Sequence, residues 1–177
     1  VLTCPADAAA EILEGTAPEA ATRLTEIRYN PLAMVHLRVD AGLEGYGYQI
    51  AAGEGFVTRG VTFNESLFGP GHGRQGVYTA YLGGATAPRA VERPDADLAS
   101  TAVDEFRRVT GVDADVEVLR VGRTRMAAWD RSRAALEEME LPDGIRICAA
   151  YESRAGIPGR LAEAERLAEE LADRTGG

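Results

Sequence analysis

Lysine is absent. All 19 basic residues are arginine, set against 28 carboxylates, for a formal net charge of −9. That balance argues against nucleic acid and anionic membrane surfaces as partners. Histidine and cysteine are scarce, at two each, and their spacings make no metal motif. Cys4 and Cys148 lie in apolar, strand-like segments and read as reduced, buried thiols of a cytoplasmic protein. No apolar run reaches the roughly 18–20 residues that span a bilayer, and no secretory signal is present. What remains is ordinary for a globular protein, with 45% hydrophobic and 27% charged residues among 177, enough for one large domain or two small ones.

The chain opens Val-Leu-Thr-Cys-Pro, without Met and inside an expected strand, so it reads as a piece of a longer protein. Pro5 suits the first turn of a helix over 6–14, with Ala9, Ile12 and Leu13 on one face. Thr16 and Glu19 have capping-box spacing for a second helix over 17–24. From residue 27 the period changes. Ala33, Val35, Leu37 and Val39 alternate with Met34, His36 and Arg38, as in a half-buried strand. Strands over 46–51, 56–63 and 76–82 follow, with a Gly-rich loop holding His72 over 64–74, and the four together read as an antiparallel meander. A helix over 94–110 carries an apolar stripe of Leu98, Ala102, Phe106 and Val109, with Asp104 facing Arg108 at i,i+4. A fifth strand is expected over 112–121. Arg120, Arg123, Arg125, Arg131 and Arg133 form the one basic cluster, which reads first as partners for surface carboxylates.

Residues 144–174 read as a strand over Ile145 to Ala149, a turn bearing Gly156 and Gly159, and a helix from Arg160 to Asp173. Free N–H groups and the dipole at a helix start favour an anion, and glycine lets a ligand come close. An ordinary strand-to-helix connection has the same pattern. The expected architecture is α+β, an antiparallel sheet of about five strands with packed helices, flanked by terminal strand–helix pieces. The two ends look like parts of one α/β unit and the middle like an inserted lobe.

Several segments, in order, carry a resemblance. They are Val-Leu-Thr-Cys-Pro-Ala-Asp-Ala-Ala at the start, Ile27 to Val35, Gly45 to Tyr48, Gly60 to Phe68, Tyr81-Leu82-Gly83-Gly84-Ala85, Met126 to Trp129, and Gly156-Ile157-Pro158. Together they resemble the C-terminal half of the protoporphyrinogen oxidase family, within the monoamine-oxidase-like flavoproteins. The resemblance implies FAD-dependent oxidation of protoporphyrinogen, a step of haem biosynthesis. It implies three regions: 1–26 as a remnant of the FAD-domain edge, 27–125 as the substrate-domain sheet and helix, and 126–177 as the return to the FAD domain. It places Ala149, Gly156, Ile157 and Pro158 at a flavin-contacting turn, and Trp129 and Arg125 near the substrate pocket.

The same residues depart from the family at the cofactor. The family's Gly-x-Gly-x-x-Gly flavin anchor has no counterpart here; the glycines at 42, 45 and 47 and at 69, 71 and 73 have the wrong spacing or context. Cys148-Ala149 replaces Ala-Gly, Arg154 replaces a glycine, and Glu163-Ala164 replaces Ser-Gly at the helix start. Two readings stand. One is a fragment or flavin-less relative of protoporphyrinogen oxidase that does not hold FAD alone, with a tetrapyrrole or other apolar small molecule and a missing FAD-binding half as partners. The other is a stand-alone small-molecule-binding or protein-interaction domain without redox activity. A homodimer would cover the face an isolated lobe leaves open. No residue is assigned a catalytic or metal-binding role.

Overall fold

The alternation in the first long strand sets up the larger core. In the computed structural model, which describes residues 1–68, 76–152 and 156–175, β1 spans Tyr29–Val39 and buries Ala33, Val35, Leu37 and Val39 on one face. β2 (Gly47–Gln49), β3 (Thr58–Phe63), β4 (Val77–Gly83) and β5 (Val116–Ala127) complete one five-stranded sheet, in the order β2-β3-β4-β1-β5. β1 pairs with β4, β2 with β3 and β3 with β4, each antiparallel. The architecture is α+β, as the sequence implied, but the strand order is not a simple meander. β1 skips its sequence neighbour and pairs with β4, Val35 opposite Ala80 and Leu37 opposite Tyr78. The short β2 stays at one edge, while β1 and β4, whose core-facing residues are almost all buried, take the interior.

The chain divides into two compact units, Val1–Tyr29 with Ala127–Gly177, and Asn30–Met126. In the second, α4 (Asp95–Thr110) lays Leu98, Ala102 and Phe106 on the sheet, all fully buried. Each large side chain there contributes roughly 1.5–3 kcal/mol by leaving water. Phe63, Tyr78 and Phe106 meet as successive aromatic contacts, with centroids 5.2 Å apart in each pair. Val109 falls outside the buried stripe and is exposed. Arg108 does not pair with Asp104; its guanidinium lies over the Phe56 ring at 4.4 Å. Residues 64–68, expected as loop, form the short helix α3 (Asn64–Phe68). His72 and the glycines at 69, 71 and 73 lie outside the described residues.

The first unit is built from small side chains. α1 (Ala6–Leu13) and α2 (Pro18–Thr25) pack through Ala6, Ala9, Ala10, Leu13, Ala20, Ala21 and Leu24. Ile12 points to solvent, since Leu13 and the alanines already fill the contact face. Thr16 does not cap α2; Ala17 stands at the cap position and Pro18 begins the helix, its missing N–H costing nothing there. The expected strands at Val1–Cys4 and Ile145–Ala149 reduce to one parallel bridge, Leu2 with Ile147, held by Leu2 N–H to Arg146 O at 2.8 Å and Cys148 N–H to Leu2 O at 2.9 Å. Two parallel strands without further neighbours have too little packing to propagate. Cys4 and Cys148 are free and only half-buried. After β5 a 3-10 turn (Arg131–Arg133) leads into α5 (Ala134–Glu137), and α6 (Ile157–Thr175) closes the unit. α6 starts earlier than the sequence implied, so Pro158 and Gly159 are helical. Among the described residues no helix is long and apolar enough to cross a membrane.

Candidate functional site

The site candidates of the first unit gather around the segment that returns from α5 to α6. Asp130 accepts the Ser132 N–H at 2.9 Å and so caps the 3-10 turn after β5. That capping, aided by Arg28 at 3.4 Å, holds its carboxyl below the ordinary carboxylate range, the Ser132 hydrogen bonds being the larger cause. The turn aims Arg133 at two places. Its guanidinium lies 3.7 Å from the Trp129 ring centroid, four residues back. It also donates to the backbone carbonyls of Tyr151 and Glu152. Burial lowers the Arg133 pKa from its ordinary value. One arginine thus ties Trp129 to the return turn. Trp129 remains 61% exposed, so it is not a core residue.

Tyr151 beside it is fully buried, and its hydroxyl has no partner among the described residues. Burial, with lesser contributions from Glu152, Cys4 and Tyr29, pushes its phenol far above the ordinary value. Glu152 turns its carboxylate back to accept the Ala149 N–H at 3.2 Å. Burial raises the Glu152 pKa and Glu163 adds to the rise; the Ala149 bond, Arg166 and Arg133 oppose it. Glu152, Glu163, Glu137, Leu136 and Arg133 line a cleft of about 300 Å³.

This geometry answers the sequence expectation residue by residue. Ala149 is buried and its N–H already serves Glu152. Gly156 has φ +110° and leads into α6; Ile157 and Pro158 are exposed in the first helical turn, Ile157 at 75%. Glu163 is not at the helix start but near the end of its second turn, paired with Arg166 at 2.5 Å, where the dipole no longer acts on it. The Arg160 guanidinium folds back onto the Ala150 carbonyl at 2.8 Å. Arg154 lies outside the described residues. Arg125 belongs to the other unit, exposed on β5. Within the basic cluster, Arg123 pairs with Asp95 at 2.5 Å and donates to the carbonyls of Val91 and Arg93.

An anion cradle needs free N–H donors. Here a carboxylate occupies the Ala149 N–H, two more line the cleft, and the guanidinium groups of Arg133 and Arg160 face carbonyls. Among the described residues, this lining disfavours the anionic part of a dinucleotide. Sequence reasoning missed Arg133 and Glu152 as the organisers of the turn. The i,i+4 spacing of Trp129 and Arg133 was the available signal for the first; Glu152 offered none.

Comparison with known proteins adds the following. The family model for flavin-containing amine oxidoreductases matches residues 1–138. Protoporphyrinogen oxidase 1, chloroplastic, of Spinacia oleracea is 29% identical over 122 residues, covering 62% of this chain and 22% of its own length. A crystal structure from Exiguobacterium sp. 255-15, described provisionally as a protoporphyrinogen oxidase, superposes with a TM-score of 0.68 over 96% of this chain and 40% of that one, at 18% identity. At that identity the likeness is one of fold. The chain spans well under half the length of both.

Proposed function

Because the chain belongs to the flavin-containing amine oxidoreductase family, we propose that it is the substrate-side part of a protoporphyrinogen-oxidase-like flavoprotein, completed by a flavin-holding segment outside it. The observation that carries this reading is the match to the spinach protoporphyrinogen oxidase, of which the chain covers only 22%. FAD is the cofactor the family implies, and the carboxylate on the Ala149 N–H favours its being held elsewhere. What this chain contributes is substrate contact. Trp129 has one ring face under Arg133 and is largely exposed, an arrangement suited to stacking a planar apolar ligand. Arg125, exposed on β5, suits the carboxylates of a tetrapyrrole. In this reading Asn30–Met126, with Arg125, is the substrate lobe, and the other unit, which carries Trp129, is the edge of the flavin domain. The free cysteines support a reducing, cytoplasmic setting.

The second reading, a flavin-less binding module, is favoured by the same occupied turn. α6 leaves Ile157 and Leu161 exposed at 75% and 58%. The missing segment would cover that face in the first reading, and a second copy of this chain in the other.

The test is direct. The purified 177-residue chain is scanned for flavin absorbance before and after incubation with FAD, then titrated with protoporphyrin IX by fluorescence. The expected result is no retained flavin and saturable tetrapyrrole binding, weakened about tenfold by Trp129→Ala, the loss of about 1.4 kcal/mol of stacking. Tightly bound flavin would overturn the division of labour. Absent tetrapyrrole binding would favour the flavin-less module.

A further inference from the structure

α6 is long, at 19 residues, but lightly held. Of its side chains from Ile157 to Asp173, Leu167 alone is buried. Polar contacts tie it to the segment that precedes it. The Arg160 guanidinium donates to the Ala150 carbonyl at 2.8 Å, and Arg146 Nε donates to Glu170 Oε1 at 2.8 Å. A helix docked through so little apolar surface opens locally, and one unfavourable charge changes how often it does so.

The cleft of about 300 Å³ sets α6 against the return turn, and its charged lining is mostly acidic. Glu163 comes from α6, Glu152 from the turn and Glu137 from α5. The cations around Glu152 are engaged elsewhere. Arg133, from the 3-10 turn, donates to the carbonyls of Tyr151 and Glu152. Arg166, on α6, pairs with Glu163 at 2.5 Å and with Glu170 at 3.7 Å. Arg160 is on the Ala150 carbonyl, and the Tyr151 phenol keeps its proton. The Glu152 carboxylate accepts the Ala149 N–H at 3.2 Å. Burial raises its pKa above the ordinary 4.5, and the Glu163 charge adds to the rise. The docked state therefore binds this proton more tightly than a state in which α6 has moved off and the carboxyl has returned to water. That stabilisation of the docked state is complete below about pH 4.5 and is lost as pH rises through the raised value.

We infer that α6 is a pH-sensitive strap, held to the return turn by Leu167, Arg160 and Arg146 and loosened at neutral pH by the carboxylates of Glu152 and Glu163 facing each other across the cleft. Its opening widens the cleft and frees the helix that carries the exposed Ile157 and Leu161. The inference needs neither the flavin nor the tetrapyrrole reading.

Native-state hydrogen exchange of the 177-residue chain, corrected for intrinsic exchange, reads the strap at about pH 5 and about pH 7.5. Amides of α6 should be at least about threefold more protected at the lower pH, beyond any change in β1 and β4. Glu152→Gln keeps an acceptor for Ala149 without the charge, and should give α6 the acid level of protection at both pH values. Glu170→Gln weakens the contact with Arg146, and should lower protection at both while preserving the ratio. Glu163→Gln removes the facing charge and should narrow the ratio, which keeps a test in hand should Glu152→Gln fail to fold. Equal protection at the two pH values in the unsubstituted chain overturns the inference. So does a ratio that survives a folded Glu152→Gln or Glu163→Gln unchanged, or one that Glu170→Gln abolishes. Flavin and porphyrin binding have no bearing on these outcomes.

Discussion

Tyr48 and Glu105 illustrate how single groups set the stability of the sheet unit. Both oxygens of Glu105, on α4, are used: one accepts the Val57 N–H at 2.8 Å, the other the Thr58 N–H at 2.7 Å. The buried Tyr48 hydroxyl has no partner among the described residues. Burial first, and the Glu105 charge second, push its phenol from the ordinary value of 10.0 up to about 12. The folded chain thus keeps a proton that the unfolded chain releases above about pH 10. The contribution is complete below that pH and is lost as pH rises towards about 12. Tyr48→Phe should flatten this alkaline fall in unfolding free energy, measured by urea titration at about pH 7 and about pH 11. Near neutrality it should leave stability unchanged or raise it by up to about 1 kcal/mol, since it removes an unpaired buried hydroxyl. A marked loss at neutral pH would mean that the hydroxyl has a partner in solution.

At the level of elements, the turn before β4 decides how closely the interior strands approach. Gly76 has φ +73°, and a Cβ there would stand 1.9 Å from the Val39 carbonyl oxygen. Its own carbonyl accepts the Val39 N–H at 2.8 Å, closing the end of the β1–β4 pair. Gly111, ending α4 at φ +71°, has open space around it. Gly111→Ala should therefore cost only the left-handed backbone penalty, about 1–2 kcal/mol. Gly76→Ala should cost more, upwards of about 2 kcal/mol, because backbone must move. Thermal melts of the two variants compare them directly, and equal losses would contradict the argument. The strands themselves were legible where period decides. Ala33, Val35, Leu37 and Val39 could be read as one buried face before any partner was known. The neighbour of that face could not, because pairing β1 with β4 rather than β2 is a long-range choice. Val1–Cys4 and Ile145–Ala149 misled for the opposite reason: their composition is that of strands, but one parallel bridge is all that two short segments sustain.

For the whole molecule, the family was legible because several short segments in order outweigh any one of them. The organisation of the return turn was not. Arg133 reaches Tyr151 and Glu152 across 18 and 19 residues. The division into units carries one more consequence, for the order of events in folding. The first unit is interrupted: Arg28 and Ala128 join at 2.7 Å, and Arg28 N–H reaches Ser132 Oγ at 3.2 Å, although the whole of Asn30–Met126 intervenes. Closing a loop of about 100 residues costs on the order of 4 kcal/mol while it is flexible. The cost shrinks if the intervening lobe is already compact. In pulsed hydrogen exchange during refolding, amides of β1, β3 and β4 should therefore gain protection before those of α1 and α2; simultaneous or reversed protection would contradict this. During synthesis the same order leaves the alanine face of α1 and α2 waiting, uncovered, until Ala127 to Tyr151 has left the ribosome.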